Sequence, residues 1–307
     1  MQIIEQTETG APEVLRLRET ETPVPGPAEL RIRVAAAGVN PVDAFVRAGA
    51  VPMLGAPPFR IGWDVAGYVT AKGDEVRGIA LGDRVMGLLR FPAQAGAYAE
   101  EVLAPAAEIA HVPDRMDDLQ AGALPLAGLT AWQALMRHGH LRPGQKVLIH
   151  AAAGGVGHIA VQIAKAFGAE VWATASAGKH AAVRALGADH LIDYRTEDFT
   201  DHGPFDLILD HAGGAHVLRS LDALRPGGHV TTLLEPAPEA VARAEAAGKS
   251  LVRMIVTPDR AGLVSLGELA AEGKLDVLVA QRFALADAAK AHHALESRPV
   301  GKIVLTP

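Results

Sequence analysis

Three groups of residues in this chain have types and spacings that could do chemistry. The first is a run of small residues, Ala151-Ala152-Ala153-Gly154-Gly155-Val156-Gly157. In the pattern Ala151-x-x-Gly154-x-x-Gly157 a missing Cβ lets backbone N–H groups come close to a ligand, and at a helix N-terminus those groups and the helix dipole favour a diphosphate. The second group follows the apolar run VWATA (Val171 to Ala175): Ser176 and Lys179 offer a hydroxyl and an ammonium, with no Asp or Glu from Ala175 to Lys179. The third is Asn40-Pro41. An amide there could donate to an oxygen that gains negative charge during a reaction, although Asn before Pro is also a common turn starter.

These residues need elements to position them, and the surrounding sequence supplies them. KVLIHA (Lys146 to Ala151) has an unbroken apolar run behind the turn Arg142-Pro143-Gly144, which predicts a short strand buried on both faces. Val156, Ile159, Ala160, Ile163, Ala164 and Phe167 recur at three- and four-residue spacing before Gly168, which predicts an amphipathic helix with a stop. The glycine loop therefore sits between strand and helix, as a dinucleotide site requires. A site for NAD usually ends the next strand with an acid that accepts from the ribose 2′-OH; Ser176 and Lys179 stand there instead, so the reading favours NADP. Lys179 could also be a solvated residue in the first turn of a helix.

Residues 1 to about 115 carry short β-prone runs split by Gly, Pro and Asp, such as LRIRVAAAG and WDVAGYVTAKG. From about 120 strands alternate with helices: a helix at Ala127 to Arg137, strands 146–151 and 171–175, a helix from Lys179 to Leu186, and strands near His190, Leu207 and His229. That alternation predicts a parallel, doubly wound α/β sheet. The tail adds LVRMIVTP, a helix around Leu263 to Ala271 and a strand at Ile303 to Leu305.

Composition narrows the partners. With 307 residues, 49% of them hydrophobic, the chain can fill two sizeable cores. A formal net charge of −6 and no long basic block argue against a nucleic-acid or anionic-membrane surface. Zero cysteines exclude disulfides, thiolate metal ligands and a cysteine nucleophile. MQIIEQTETG shows no secretory pattern and no segment reads as a membrane span, so the expectation is a cytoplasmic protein. Among thirteen histidines, His138-x-His140 and His292-His293 lack carboxylate or Cys partners at a familiar spacing, and no metal site is expected.

GVNPVDAFVRAG (Gly38 to Gly49), GWDVAG (Gly62 to Gly67), GDRV (Gly82 to Val85), GLTAWQAL (Gly128 to Leu135), the glycine loop, LGADHLIDYR (Leu186 to Arg195) and GKIVL (Gly301 to Leu305) follow one another over nearly the whole chain. In that order they resemble the medium-chain dehydrogenase/reductase superfamily, in its quinone oxidoreductase branch, which includes zeta-crystallin. The resemblance implies a GroES-like β-barrel domain from residues 1–120 and 255–307, and a Rossmann domain from 121–254 that binds NADPH. It implies Ala153, Gly154, Gly155, Val156 and Gly157 around the cofactor, Ser176, Lys179 and Tyr194 on its 2′-phosphate, and His211, Ala212, Gly213 and Lys302 as further contacts. Asn40 becomes a candidate for substrate or nicotinamide, and Thr130 sits beside the nicotinamide unless it is only a helix-start hydroxyl.

The zinc alcohol dehydrogenases of the same superfamily carry a Cys ligand where this chain has Asn40 and a His where it has Trp63. Both ligands are missing, which leaves hydride transfer to an acceptor that delocalises electrons, a quinone or an α,β-unsaturated carbonyl (enone). The proton donor is not readable: some relatives have a Tyr at Phe45 and an aromatic near Val51. Asp43 and Asp64 have Arg47 and Arg60 as natural ion-pair partners, and His211 in DHAGG is a weak acid candidate, so the proton is assigned to solvent. The expected protein is a zinc-independent, NADPH-dependent quinone or enone reductase, a homodimer like many relatives. The alternatives are a non-catalytic NADPH-binding, crystallin-like protein, and a zinc-dependent alcohol dehydrogenase.

Overall fold

The structure is a computed structural model describing residues 1–307. The chain divides into two compact units, one formed by residues 1–129 and 257–307, the other by residues 130–256.

In the first unit the chain lays down β1 (Gln2–Glu5), β2 (Arg16–Glu19), β3 (Glu29–Val39), β4 (Asp64–Lys72), β5 (Arg84–Leu88), β6 (Glu101–Pro105) and β7 (Ile109–His111). In the second it forms β8 (Lys146–Ile149), β9 (Glu170–Ala175), β10 (His190–Asp193), β11 (Phe205–Asp210), β12 (Leu224–Thr232) and β13 (Ser250–Arg253). It then returns to the first unit with β14 (Val279–Ala284) and β15 (Lys302–Thr306).

The large sheet of the first unit has the order β14-β15-β3-β4-β5-β7, with β6 also paired to β3; β1 and β2 form a separate ribbon. The long strand β3 alternates in burial, so Leu30, Ile32 and Val34 fill the interior while Arg33 is exposed and Arg31 lies half-buried against Glu101. Antiparallel pairing of β15 with β3 sets Ile303 opposite Val39. That register brings Lys302 to Asn40 across a gap of 262 positions. The helix Asp118–Ala123 belongs to this unit because it lies close against β3: a Cβ on Gly122 would meet the Cβ of Ala36 at 2.6 Å. The first junction thus falls inside the helix Pro125–Trp132, which the sequence alone assigned to the second unit.

The second unit is a six-stranded parallel sheet in the order β10-β9-β8-β11-β12-β13. Its centre is apolar on both faces, with Val147, Leu148 and Ile149 of β8 and Leu207, Ile208 and Leu209 of β11 fully buried. The chain winds outward from β8 in one direction and from β11 in the other. The reversal places the C-terminal ends of these two strands side by side, the switch point at which α/β sheets bind ligands. No helix is long and apolar enough to cross a membrane.

Candidate functional site

At the switch point, β8 ends on Ile149, opposite Leu209 of β11. His150 continues the pairing through its N–H to the Leu209 carbonyl at 3.1 Å, and Ala151 then turns the chain with a left-handed φ of 49°. The helix Gly157–Ala166 follows, with its apolar stripe of Ile159, Ala160, Ile163 and Ala164 buried. The two spaced glycines have different reasons to be glycine. A Cβ on Gly157 would stand 2.4 Å from the Ala151 carbonyl oxygen and 2.7 Å from the Ala152 Cα, so this glycine is required for helix and loop to meet. A Cβ on Gly154 would touch only the Ala151 oxygen, at 3.2 Å, and otherwise face open space. Packing explains the one; the backbone surface kept bare by the other is what a diphosphate needs.

β11 delivers the second half of this site. His211 leaves the strand with Nδ1 hydrogen-bonded to the His150 carbonyl at 2.6 Å, so Nδ1 carries the proton and Nε2 keeps a lone pair. That Nε2 is buried without a partner, and burial lowers the pKa of the ring. This geometry presents His211 to the site as an acceptor. Gly213, at φ 67°, leaves no room for a side chain: a Cβ would meet the Leu234 Cβ at 2.6 Å. Ala212 and Gly213 give their N–H groups to Asp210 Oδ1, both at 2.8 Å, which fixes the HAGG loop from below.

Ser176 and Tyr194 each follow the last paired residues of β9 and β10, Ala175 opposite Asp193, so the register brings the two strand ends together. Ser176 and Lys179 are part-exposed, and Tyr194 is 54% exposed with the Arg195 guanidinium 5.9 Å from its ring centre. One acid does reach this corner, Asp193, whose Oδ2 accepts from the Ala177 N–H at 3.2 Å. It comes from the neighbouring strand, which is why the end of β9 alone did not show it. Thr130, the first residue of this unit, is buried.

In the first unit Asn40 is 1% exposed and lies at the start of the helix Pro41–Arg47. Its Nδ2 donates to Asp64 Oδ2 at 2.9 Å and its Oδ1 accepts from Lys302 Nζ, an arrangement that fixes which way the amide points. Lys302 Nζ also lies 3.7 Å from Asp64 Oδ2, and Asp64 Oδ1 takes the Leu126 N–H at 2.6 Å. Asp43 accepts from the N–H groups of Asn40 at 2.7 Å and Gly62 at 3.2 Å. Burial pushes the Asp43 carboxyl up to about 7 and Asp64 up to about 6, against the pull of Lys302, while burial lowers Lys302.

The ion pairs expected for the two acids are therefore replaced. Arg60 pairs with Glu5 at 3.5 Å, Arg47 Nε is buried unpaired, and Lys302 is the cation that faces Asp64. Sequence distance hid this partner, since only the β15 register puts it there. Tyr98, unlike Asp43 and Asp64, is not marked by the sequence. Tyr98 is buried with its hydroxyl 3.4 Å from His292 Nε2, and nothing local in GAYAE marks it.

Residues 26–114 match the alcohol dehydrogenase GroES-like domain, and residues 186–305 match the family described as zinc-binding dehydrogenase. A quinone oxidoreductase from Coxiella burnetii aligns over 100% of this chain and 99% of its own, with 36% identity and a TM-score of 0.94. The chain belongs to the medium-chain dehydrogenase/reductase superfamily. Within this superfamily of oxidoreductases it is quinone oxidoreductase-like: the Escherichia coli quinone oxidoreductase complexed with NADPH is 31% identical, with a TM-score of 0.90 and full coverage of both chains. A phenolphthiocerol/phthiocerol polyketide synthase subunit of Mycobacterium tuberculosis is 35% identical over 97% of this chain, which spans 14% of that subunit. At Asn40 and Trp63, where the resemblance sets a Cys and a His zinc ligand of the alcohol dehydrogenases, this chain has neither residue type. Here Asn40 is held in the Lys302–Asp64 network, and Trp63 is a fully buried core residue whose Nε1 donates to the Ala93 carbonyl at 2.7 Å.

Proposed function

We propose that the chain is an NADPH-dependent reductase of quinones or α,β-unsaturated carbonyls that needs no zinc for its chemistry. The observation that carries this reading is the switch point, where a bare glycine loop meets a buried, unpartnered histidine nitrogen. A dinucleotide fits those residues. Gly154, whose own N–H is taken by the Ala151 carbonyl, keeps the surface bare, the Gly155 to Gly157 backbone offers N–H groups and a helix N-terminus to a diphosphate, and His211 Nε2 offers an acceptor to a ligand N–H or O–H. Ser176, Lys179 and Tyr194, with Arg195 beside them, supply the donors and positive charge that a 2′-phosphate calls for. The NADPH complex of the E. coli relative supports the same choice.

When bound, NADPH supplies the hydride that reaches the β-carbon of the acceptor. The chain's own part is orientation and charge stabilisation. Asn40 Nδ2 uses one of its two hydrogens on Asp64, and the second is the donor we assign to the oxygen that becomes an enolate. Lys302 and Asp64 hold that amide in one rotamer and one orientation. Thr130 and Lys302 are the remaining residues we assign to the cofactor. With His211 presenting an acceptor and Phe45 in place of a phenol, solvent supplies the proton. The polyketide synthase likeness adds enoyl groups to the acceptors to assay.

The test is NADPH consumption against a panel of small quinones, enones and enoyl thioesters, run with metal-stripped protein in a strong chelator beside Asn40→Ala. Turnover with at least one class, undiminished by chelation and reduced in the variant, is expected. Binding of NADPH with no acceptor reduced would leave a non-catalytic binder, and turnover restored only by zinc would return the chain to the alcohol dehydrogenases.

A further inference from the structure

Below the glycine loop, three side chains from two strand ends and one helix converge in the second unit. His150 follows β8, Asp210 ends β11 and His216 opens the helix His216–Asp222. One donor atom from each lies within 4.8 Å of the donor atoms of the other two. His216 Nδ1 is 2.7 Å from Asp210 Oδ2, and the rings of His150 and His216 stand edge to face at 4.5 Å between centres.

Ordinary packing leaves one feature of this cluster unexplained. His150 is 4% exposed and its Nε2 has no hydrogen-bond partner. The remaining atoms have the supports that metal ligands use. His150 Nδ1 is held by Thr174 Oγ1 at 3.2 Å. Asp210 Oδ1 takes the Ala212 and Gly213 N–H groups, and Oδ2 takes the Ser220 hydroxyl at 2.9 Å. Such outer contacts orient a ligating imidazole and carboxylate. His216 has a side chain 28% exposed, which gives an ion a way in from solvent.

We propose that His150, Asp210 and His216 form a binding site for a divalent cation of the zinc class, with a fourth position left to water. Two imidazoles and one carboxylate are a ligand set that zinc and cobalt accept, and ligand atoms around a tetrahedral zinc stand roughly 3.3 Å apart for bonds of about 2.0 Å. Closing the cluster from separations of up to 4.8 Å needs the longest to shorten by up to about 1.5 Å, and a His216 tautomer that turns a lone pair toward the ion. None of the three residues is Asn40 or Trp63, which belong to the other unit. An ion here would tie the ends of β8 and β11 to the following helix, the parts that carry the switch-point loops.

The experiment is a titration of metal-stripped protein with Zn²⁺ alone against a competing indicator, and with Co²⁺ alone followed by its visible spectrum. One equivalent is expected to bind, and His216→Gln, which keeps an N–H for Asp210 but no ring nitrogen, should bind ~tenfold or more weakly. The pair His138→Gln and His140→Gln should bind as the parent does. In the unsubstituted protein, Zn²⁺ should shift the ring-nitrogen NMR signals of His150 and His216, a readout that needs no variant to fold. No saturable equivalent, equal affinity in His216→Gln, or shifts on other histidines would overturn the proposal.

Discussion

His292 offers a direct measurement of what buried imidazoles do to this fold. Its residue is 2% exposed, its Nδ1 has no partner, and burial lowers its pKa to about 3, with Arg47 and His293 adding to the effect. The unfolded chain binds a proton on this ring below about 6.5, whereas the folded chain does not until about 3. Between those values the unfolded state holds more protons, so stability falls as pH falls. From pH 7 to pH 5 the difference integrates to about 2 kcal/mol for one such ring. His150, with a pKa lowered to about 3, and His229, lowered to about 4, act in the same direction. Asp43 and Asp64 act in the opposite one: raised to about 7 and 6, they take up protons in the folded chain first and recover stability as pH falls toward 4. Comparing the parent with His292→Phe removes one ring and leaves the opposing terms common to both. Urea unfolding at pH 7, 6 and 5 should show the stability gap moving by about 2 kcal/mol in favour of the variant. A gap that stays constant across the three pH values would refute the assignment of a neutral, buried His292.

Three further outcomes follow from the geometry. Gly157→Val should lower stability by about 1 to 3 kcal/mol in thermal melts, because its side chain meets backbone; Gly154→Val should melt like the parent yet lose NADPH affinity in fluorescence titrations. Lys179→Ala should cost NADPH one charge-assisted contact, about 1.5 to 3 kcal/mol, or roughly ten- to a hundredfold in Kd, and leave NADH nearly unchanged; equal losses for both would deny it the 2′-phosphate. Lys302→Met should destabilise by about 3 to 5 kcal/mol in chemical denaturation by leaving Asp64 without its cation, and Asp64→Asn in the same chain should recover part of that loss.

The second unit was legible because its signals are local. β8, the loop and the helix after it lie within about twenty residues, and apolar runs with a glycine spacing report both the elements and their order. Boundaries moved by a residue or two: β8 stops at Ile149 because Ala151 needs a left-handed φ, and the expected helix to Arg137 becomes α-helical to Trp132 and π-helical over Gln133–His138. β14 and the helix Ala288–Leu295 gave no signal. β14 is largely exposed, so no burial pattern marks it. The first unit's interior resisted for a different reason. Asn40 could be singled out as an amide, but the atoms that hold it come from β4 and β15, and pairing between distant strands is set by the whole sheet. The same holds for His150, Asp210 and His216: the histidine pairs adjacent in sequence are not the ones the fold assembles.

The return of β15 to β3 has a bearing on how a cell would judge this chain while making it. Asp64 and Asp43 are fully buried, yet the cation that faces Asp64 is Lys302, 238 positions further along the sequence (302 − 64). A chain cut short anywhere in between cannot close its first sheet, and its buried carboxylates must either stay in water or take up protons. Truncated products would thus advertise themselves through an open strand edge and unburied acids, both readily recognised by chaperones and proteases. Pairing of β15 with β3 is thus a long-range condition on burying the two acids, met only once Lys302 has been made.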